Sequence, residues 1–112
     1  MDLSTRYCLL KLLDAQPHLS QRDLAEIMGV SLGKTNFCLQ ALIKVGLIEV
    51  KSFRNAGNKV AYLYRLTPTG IEEKARVTRA FLQRKLAEYE SIQQEIAELQ
   101  ADMVVCEAVG KG

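Results

Sequence analysis

The sequence has few cysteines and histidines, the residues that form disulfides or bind metals in small domains, and it has little proline and no tryptophan. It has no tryptophan, two prolines and one histidine, His18, among 112 residues. Its three cysteines, Cys8, Cys38 and Cys106, are far apart and lack CxxC spacing, so they indicate neither a disulfide framework nor a zinc site. No apolar run approaches the roughly 18 residues of a membrane span, and the N-terminus lacks the layout of a signal peptide. We therefore predict a cytoplasmic protein that does not bind a membrane.

The motifs of common enzymes are missing as well. The sequence contains no glycine-rich phosphate loop, no nucleophile elbow and no carboxylate pair. His18 follows Pro17 and has no second histidine or paired carboxylate nearby in the sequence. We predict that the protein is not an enzyme and has no cofactor and no metal.

The informative features are composition and the distribution of charge. Hydrophobic residues make up 48% and charged residues 25%, which is typical of one folded domain at this length. The net charge of +2 conceals an asymmetry, because residues 31–66 carry +5, residues 67–86 carry +3 and residues 87–112 carry −5. A basic middle followed by an acidic end predicts that the middle contacts a polyanion.

Apolar spacing predicts three helices before residue 47. The first covers residues 3–15, and the second begins after Ser20, a capping residue three positions before an aspartate, and ends at Gly29. The third begins after Ser31 and ends at Gly46, which can adopt the left-handed conformation that closes a helix. Two short helices joined by a short turn with glycine are typical of a helix-turn-helix. The inward face of the third helix is predicted to be Thr35, Cys38, Leu39 and Leu42.

Two β-rich runs follow, at residues 47–53 and 60–66, around the turn-forming tetrad at residues 55–58. Apolar residues such as Val50 and Tyr62 alternate with charged or smaller neighbours, so we expect the hairpin to bury one face and expose the other. A helix-turn-helix followed directly by a basic hairpin predicts a winged helix.

From Pro68 onward the sequence predicts one long helix. Mostly apolar positions in it alternate steps of three and four, which is the heptad pattern of a coiled coil, with Lys85 and Tyr89 as imperfect core residues. The positions are Ala75, Thr78, Leu82, Lys85, Tyr89, Ile92, Ile96, Leu99, Met103 and Cys106. A small domain cannot cover such a stripe along its whole length, so we expect a homodimer. The sequence leaves open whether the coiled coil is parallel, antiparallel or of higher order. The predicted dimer contacts are Leu82, Tyr89, Ile92, Ile96, Leu99 and Met103.

The predicted fold class is mostly α with a small β-hairpin. We expect a winged helix-turn-helix DNA-binding domain over residues 1–67 and a long C-terminal coiled-coil helix, with a short tail, over residues 68–112.

The run YRLTPTG at residues 64–70 resembles the closing L-T-P-x-G of the MarR family of bacterial transcriptional regulators. The stretches LSQRDLAEIMGVSLGKTNFCLQALIKVGLIE and LTPTGIEEKARVTRAFLQRKLAEYE are similar to the exopolysaccharide-associated subgroup of that family, over about residues 3–100. The resemblance implies a dimeric regulator that binds double-stranded operator DNA and controls exopolysaccharide genes. The chain is shorter than typical members and lacks room for their ligand crevice, so a small-molecule effector is not expected.

In a helix-turn-helix, the N-terminal part of the second helix contacts base edges in the major groove. Lys34 can donate to guanine or to a phosphate, and the amides of Asn36 and Gln40 can pair with adenine. Phe37 either touches a thymine methyl or packs against the domain. The outward positions predicted to bind DNA are Ser31, Gly33, Lys34, Asn36, Phe37, Gln40 and Lys44.

The wing tip carries the other predicted DNA contacts, namely Lys51, Arg54, Asn55, Asn58 and Lys59. Such groups neutralise phosphates, and a wing tip can enter the minor groove. The alternative is that these charges only solubilise an exposed hairpin. The start of the second helix, at Ser20 and Gln21, can hold a phosphate through backbone N–H groups, although simple capping explains it equally well.

Two functions remain open at this point. The first is a sequence-specific transcriptional regulator, in which changes at Lys34 or Asn36 relax sequence preference and changes at Arg54 or Lys59 weaken binding to all DNA. The alternative is a winged-helix and coiled-coil adaptor for other proteins, without sequence-specific DNA binding.

Overall fold

The structure, a computed structural model, describes residues 1–54 and 56–111. Three helices come first, followed by a two-stranded antiparallel hairpin and one long helix. This order confirms the predicted winged helix-turn-helix with a long C-terminal helix. The elements are α1 (Leu3–Ala15), α2 (Gln21–Met28), α3 (Leu32–Lys44), β1 (Ile48–Arg54), β2 (Val60–Leu66) and α4 (Pro68–Lys111).

Side-chain caps define the helix-turn-helix. Ser20 Oγ accepts a hydrogen bond from the Asp23 backbone N–H at 3.0 Å, and Asp23 Oδ2 accepts one from the Ser20 N–H at 3.1 Å. This capping box uses donors that α2 would otherwise leave unpaired. Gly29 ends α2 with φ of 68°, and Ser31 caps α3 by accepting from the Lys34 N–H at 3.0 Å. Residues 29–31 form a three-residue turn between α2 and α3, in agreement with the predicted ends of the two helices.

One apolar core joins α1, α2, α3, the base of the hairpin and the first turns of α4. Val77 is the contribution of α4, and it is fully buried although it lies off the predicted heptad seam. The core consists of Leu9, Leu10, Leu13, Leu24, Cys38, Leu39, Leu42, Leu47, Ile48, Tyr64, Leu66 and Val77.

The hairpin buries only its base. Ile48 pairs with Leu66, and Val50 pairs with Tyr64. Ile48, Tyr64 and Leu66 are buried, but Val50 is 41% exposed and Tyr62 is 53% exposed. The expectation of one buried face is thus wrong for the outer half of the hairpin, because the core reaches only the residues nearest the helices.

The run LTPTG at residues 66–70 joins the hairpin to α4. Thr67 donates its backbone N–H to the Leu47 carbonyl at 3.0 Å and its hydroxyl to the Gly46 carbonyl at 2.6 Å. The same hydroxyl accepts from the Gly70 N–H at 3.0 Å and so caps α4. A Cβ atom on Gly70 would lie 2.0 Å from the Leu47 carbonyl oxygen, which leaves no room for a side chain there.

The chain divides into two compact units, Met1–Arg79 and the residues from Ala80 onward. In the first unit, Arg6 contacts Glu73 at 3.2 Å and Lys74 contacts Asp14 at 2.6 Å, so ion pairs join the first turns of α4 to α1. No helix in the described part of the chain is long and apolar enough to cross a membrane. The predicted domain boundary at residue 67 stays a prediction.

The second unit is a single helical segment. Its large seam side chains are between 48% and 63% exposed, and within residues 80–110 no side chain is buried. The seam members in question are Leu82, Tyr89, Ile92, Ile96, Leu99 and Met103. The helix itself is confirmed, whereas its role in dimerisation stays a prediction.

Candidate nucleic-acid interface

The two faces of α3 are chemically separate. The predicted inward residues are at most 2% exposed, and Thr35, the polar one among them, donates its hydroxyl to the Ser31 carbonyl at 3.0 Å. All of the predicted outward residues are exposed: Ser31, Gly33, Lys34, Asn36, Phe37, Gln40 and Lys44. The helix therefore presents a continuous row of hydrogen-bonding groups, and its other face anchors that row to the core.

Phe37 is an exposed aromatic residue on this polar face. Its side chain is 69% exposed, so the alternative in which it packs against the domain is wrong. Leu32, at the first turn of α3, is 46% exposed. An apolar side chain among amide and ammonium groups suits a surface that meets both the methyl groups and the polar edges of bases.

A hydrogen-bonded bridge links α2, α3 and the hairpin. The Gln21 amide Nε2 donates to Asn36 Oδ1 at 3.3 Å and to the Tyr64 hydroxyl at 2.9 Å. Tyr64 is itself buried, and its backbone N–H donates to the Pro17 carbonyl at 3.1 Å. Gln21 thus connects the amide of Asn36 on α3 to Tyr64 on β2.

The sequence reasoning missed this role of Gln21. It considered only the backbone N–H groups at the start of α2, and the capping box uses the Ser20 and Asp23 groups of that turn. The side-chain partners lie 15 and 43 residues away along the chain, so no local pattern indicates them.

The positive charge of the hairpin is concentrated toward its tip. Arg65, near the base, forms an ion pair with Glu49 across the strands. The hydrogen bond from Arg65 lowers the pKa of Glu49 below its ordinary value, which keeps the carboxylate ionised and paired. Lys51 and Lys59 lie farther out and are exposed.

The chain turns back at the tip through residues with suitable backbone preferences. Arg54 donates from its guanidinium to the Asn58 carbonyl at 3.2 Å, and Asn58 adopts a φ of 58°. Asparagine tolerates this left-handed conformation better than most residues. Asn55, the remaining predicted contact of the tip, lies outside the described residues.

A groove of about 450 Å³ separates the start of α2 from β2. Its lining includes His18 and Arg22 on one side and Val60 and Tyr62 on the other, with Leu32 from α3. Arg22 is a second residue that the sequence analysis missed, since it adds an exposed cation beside the N-terminus of α2. The position of Arg22, two residues after the predicted cap Ser20 and therefore in the first turn of α2, is the signal that could have identified it.

Among the residues that the structure describes, no three histidine, cysteine, aspartate or glutamate side chains are grouped closely enough to hold a metal ion. The exposed polar side chains of α3 and the hairpin tip include ammonium, guanidinium and amide groups, which are usual partners of phosphates and base edges.

Comparison with known proteins identifies the architecture. Residues 4–49 match a family model described as winged helix-turn-helix DNA-binding. The first unit is a winged helix-turn-helix. The match extends from α1 through α3 to the start of β1, so it includes the complete helix-turn-helix and its capping residues. No curated protein sequence is significantly similar to the chain.

Solved structures of transcriptional regulators share this winged fold. The PcaV regulator of Streptomyces coelicolor is 25% identical, with a TM-score of 0.55, over 90% of this chain and 78% of that chain. The adhesin competence repressor of Streptococcus pyogenes is 22% identical, with a TM-score of 0.58, over 81% of this chain and 65% of the repressor. A regulator described as MarR family is 19% identical, with a TM-score of 0.58, over 89% and 72%.

These likenesses establish the fold and agree with the predicted MarR resemblance at that level. The chain spans between about half and about four-fifths of the length of the solved structures that it matches. The exopolysaccharide-associated subgroup stays a prediction.

Proposed function

We propose that the chain is a sequence-specific DNA-binding transcriptional regulator that acts as a dimer on operator DNA. The observation that carries the proposal is the exposed polar face of α3, anchored through its buried face and flanked by a hairpin with a basic tip. The match of residues 4–49 to winged helix-turn-helix DNA-binding domains supports the same function.

The major groove of DNA, about 12 Å wide, admits one α-helix. In the proposed complex α3 enters it with Lys34 and Asn36 in its first turns facing base edges. The bond from Gln21 uses one lone pair of Asn36 Oδ1, so the second lone pair and the amide N–H groups stay available. Asn36 can therefore accept from adenine N6 and donate to adenine N7 from a fixed side-chain orientation.

The hairpin and the start of α2 supply contacts to the DNA backbone. The hairpin carries three positive charges near its tip, on Lys51, Arg54 and Lys59. These charges are complementary to the negative phosphates on either side of the minor groove. Arg22 and the N-terminal end of α2 line the groove between α2 and β2. These contacts fix the position of the protein on DNA, and α3 supplies the sequence preference.

A dimer would place two α3 helices in successive major grooves, about 34 to 36 Å apart, on a roughly palindromic site. Occupancy of a site that overlaps a promoter would block transcription. The sequence resemblance to exopolysaccharide-associated regulators makes those genes the first candidates for regulation, and the site of action would be the cytoplasm, where the DNA is.

Selection of bound fragments from genomic DNA tests the proposal most broadly. The full chain is incubated with sheared DNA at moderate salt, and the retained fragments are sequenced. We expect enrichment of a few fragments that share a palindromic sequence, with binding that weakens steeply as salt rises.

The matched control carries Asn36→Ala and Lys34→Ala, both exposed positions whose change leaves the core intact. We expect the double variant to lose the enrichment. Uniform recovery of fragments by the unaltered chain, together with a protein that copurifies with it stoichiometrically, would replace the regulator with the adaptor function.

A further inference from the structure

The second unit carries an unpaired apolar stripe along residues 82–106. Each of its members is exposed, and the large apolar ones are roughly half to two-thirds exposed. One isolated helix cannot bury such a stripe, and its stability in water depends on a partner that does. The stripe consists of Leu82, Lys85, Tyr89, Ile92, Ile96, Leu99, Met103 and Cys106.

The part of the heptad seam that lies in the second unit, from Leu82 to Cys106, is symmetric about residue 94. Its steps of three and four read the same from either end, so a second copy that runs in the opposite direction can match every position. In that register Ile92 packs with the partner's Ile96, Tyr89 with the partner's Leu99 and Leu82 with the partner's Cys106. A shift of one heptad in either direction leaves part of the stripe unmatched.

Lys85 distinguishes the two orientations of such a pair. In a parallel pair in register, Lys85 faces the partner's Lys85, and two like charges share one layer. In the antiparallel pair it faces the partner's Met103, and a flexible thioether can pack against the methylene stem of a lysine. The Lys85 ammonium keeps its own bond to Glu88, at 3.1 Å, at the edge of the stripe.

The charges at the two ends of the stripe agree with the antiparallel orientation. Arg84 and Lys85 lie at one end, where both form ion pairs with Glu88, and Asp102 and Glu107 lie at the other. An antiparallel pair brings the basic end of each helix near the acidic end of the other. A parallel pair places basic beside basic and acidic beside acidic, which favours separation.

Acidic side chains along one edge of the stripe face each other in the antiparallel pair, and their repulsion weakly disfavours it. At the centre Glu95 faces the partner's Glu95, and Glu88 lies on the same edge as the partner's Asp102. All three side chains are exposed, where water and salt screen such repulsion. The Lys85 layer lies within the stripe, so its effect on orientation is the larger one.

We propose that two copies of the chain pair through this stripe in antiparallel orientation, centred on residue 94. The inference rests on the dimer of the proposed function and adds its orientation and register. At about 1.5 Å per residue, residues 82 and 106 of one helix lie about 36 Å apart. The two copies of Cys106 are then equally distant, and each lies beside the partner's residue 82.

Disulfide trapping in the full chain tests this geometry. The background carries Cys8→Ser and Cys38→Ala, so that Cys106 is the remaining thiol, and Leu82→Cys is added to it. A disulfide requires Cα atoms within about 7 Å, so the two thiols of one chain cannot join. We expect mild oxidation to give a covalent dimer with Leu82→Cys, and at least tenfold less with Cys106 alone or with Gln83→Cys, which lies one residue off the stripe.

The possible outcomes separate the orientation from the dimer. Efficient cross-linking of Cys106 alone, with no gain from Leu82→Cys, would establish a parallel pair, overturning the orientation but not the dimer. A chain that sediments as a monomer at tens of micromolar would overturn both the orientation and the dimeric part of the proposed function. Larger assemblies under the same conditions would overturn the two-helix pairing.

Discussion

The two units of the chain differ in how they use apolar residues. In Met1–Arg79, leucines from α1, α2 and α3 are fully buried against the base of the hairpin. From Ala80 onward, the large side chains of the predicted seam are between 48% and 63% exposed, although they follow an equally regular pattern. A periodic apolar pattern therefore identifies a helix in both units, but burial depends on what is available to cover it.

The two units therefore have different roles. The first unit closes its own core, so it can hold α3 and the hairpin in fixed positions for binding. The second unit has no buried side chain within residues 80–110, and its exposed stripe is the surface that a second chain would cover. Four changes, in decreasing order of expected effect, test this division.

The largest effect is expected from Gly70→Ala in the first unit. The new Cβ would lie 2.0 Å from the Leu47 carbonyl oxygen, and a backbone atom cannot move aside cheaply. We expect a loss of about 3 kcal/mol, the upper end for overpacking, in urea unfolding. Gly110→Ala in the second unit is the matched control, since nothing lies within 4 Å of its Cβ, and it should leave stability equal or slightly higher. Equal losses at both glycines would contradict the comparison.

The second effect concerns the stripe. Ile92→Lys places a charge at the centre of the proposed dimer contact, so we expect the dissociation constant of the dimer to rise at least 100-fold, or about 2.7 kcal/mol. Backbone amide spectra of residues 1–79 should stay unchanged, because the core of the first unit does not involve Ile92. Val104→Lys is the control for added charge, since Val104 is an exposed apolar residue of the same helix that lies off the stripe. A dimer that tolerates Ile92→Lys but not Val104→Lys would place the contact elsewhere.

The third effect concerns the bridge from α2. Gln21→Ala removes the donor that positions Asn36, so we expect specific DNA binding to weaken up to about tenfold, the scale of one hydrogen bond. Binding to unrelated DNA should change little. Tyr64→Phe, which removes only the far partner of Gln21, should have a smaller effect in the same direction. An equal loss of affinity for both DNAs would mean that Gln21 contacts phosphate and does not position Asn36 for contact with a base.

The smallest effect is expected from Asp23→Ala and concerns the pH dependence of Tm. Hydrogen bonds from the Ser20 backbone N–H and then its side chain lower the pKa of Asp23 below its ordinary value. A lowered pKa in the folded state stabilises the protein above the ordinary aspartate range, and this contribution is lost as pH falls through the folded pKa. Asp23→Ala should therefore lower Tm at pH 7, and the difference from the unaltered chain should shrink as pH falls through the folded pKa of Asp23. A difference that grows on acidification would contradict the capping-box assignment.

Local patterns predicted much of the fold. Ser20, Gly29 and Ser31 indicated the ends of α2 and α3 because capping depends on neighbours within one turn. The inward face of α3 followed from helical spacing, since Thr35 and Leu39 lie one turn apart and both are buried.

Long-range contacts were not predictable in this way. Alternation in β2 indicated which side chains share a face, but not that the core ends before Tyr62. The need for glycine at position 70 depends on the carbonyl of Leu47, and the fixed position of Asn36 depends on Gln21; both partners come from other elements. A single sequence carries no local signal for such approaches.

Base reading by α3 is the central claim, and fluorescence anisotropy with two duplexes tests it most directly. One duplex carries the selected site and the other a scrambled sequence of equal length. Asn36→Ala should weaken binding to the selected site about 10- to 100-fold, or 1 to 3 kcal/mol, and leave the scrambled duplex unaffected. Arg54→Ala should weaken both duplexes alike and reduce the salt dependence. Loss of affinity by Asn36→Ala on both duplexes equally, or on neither, would contradict the account.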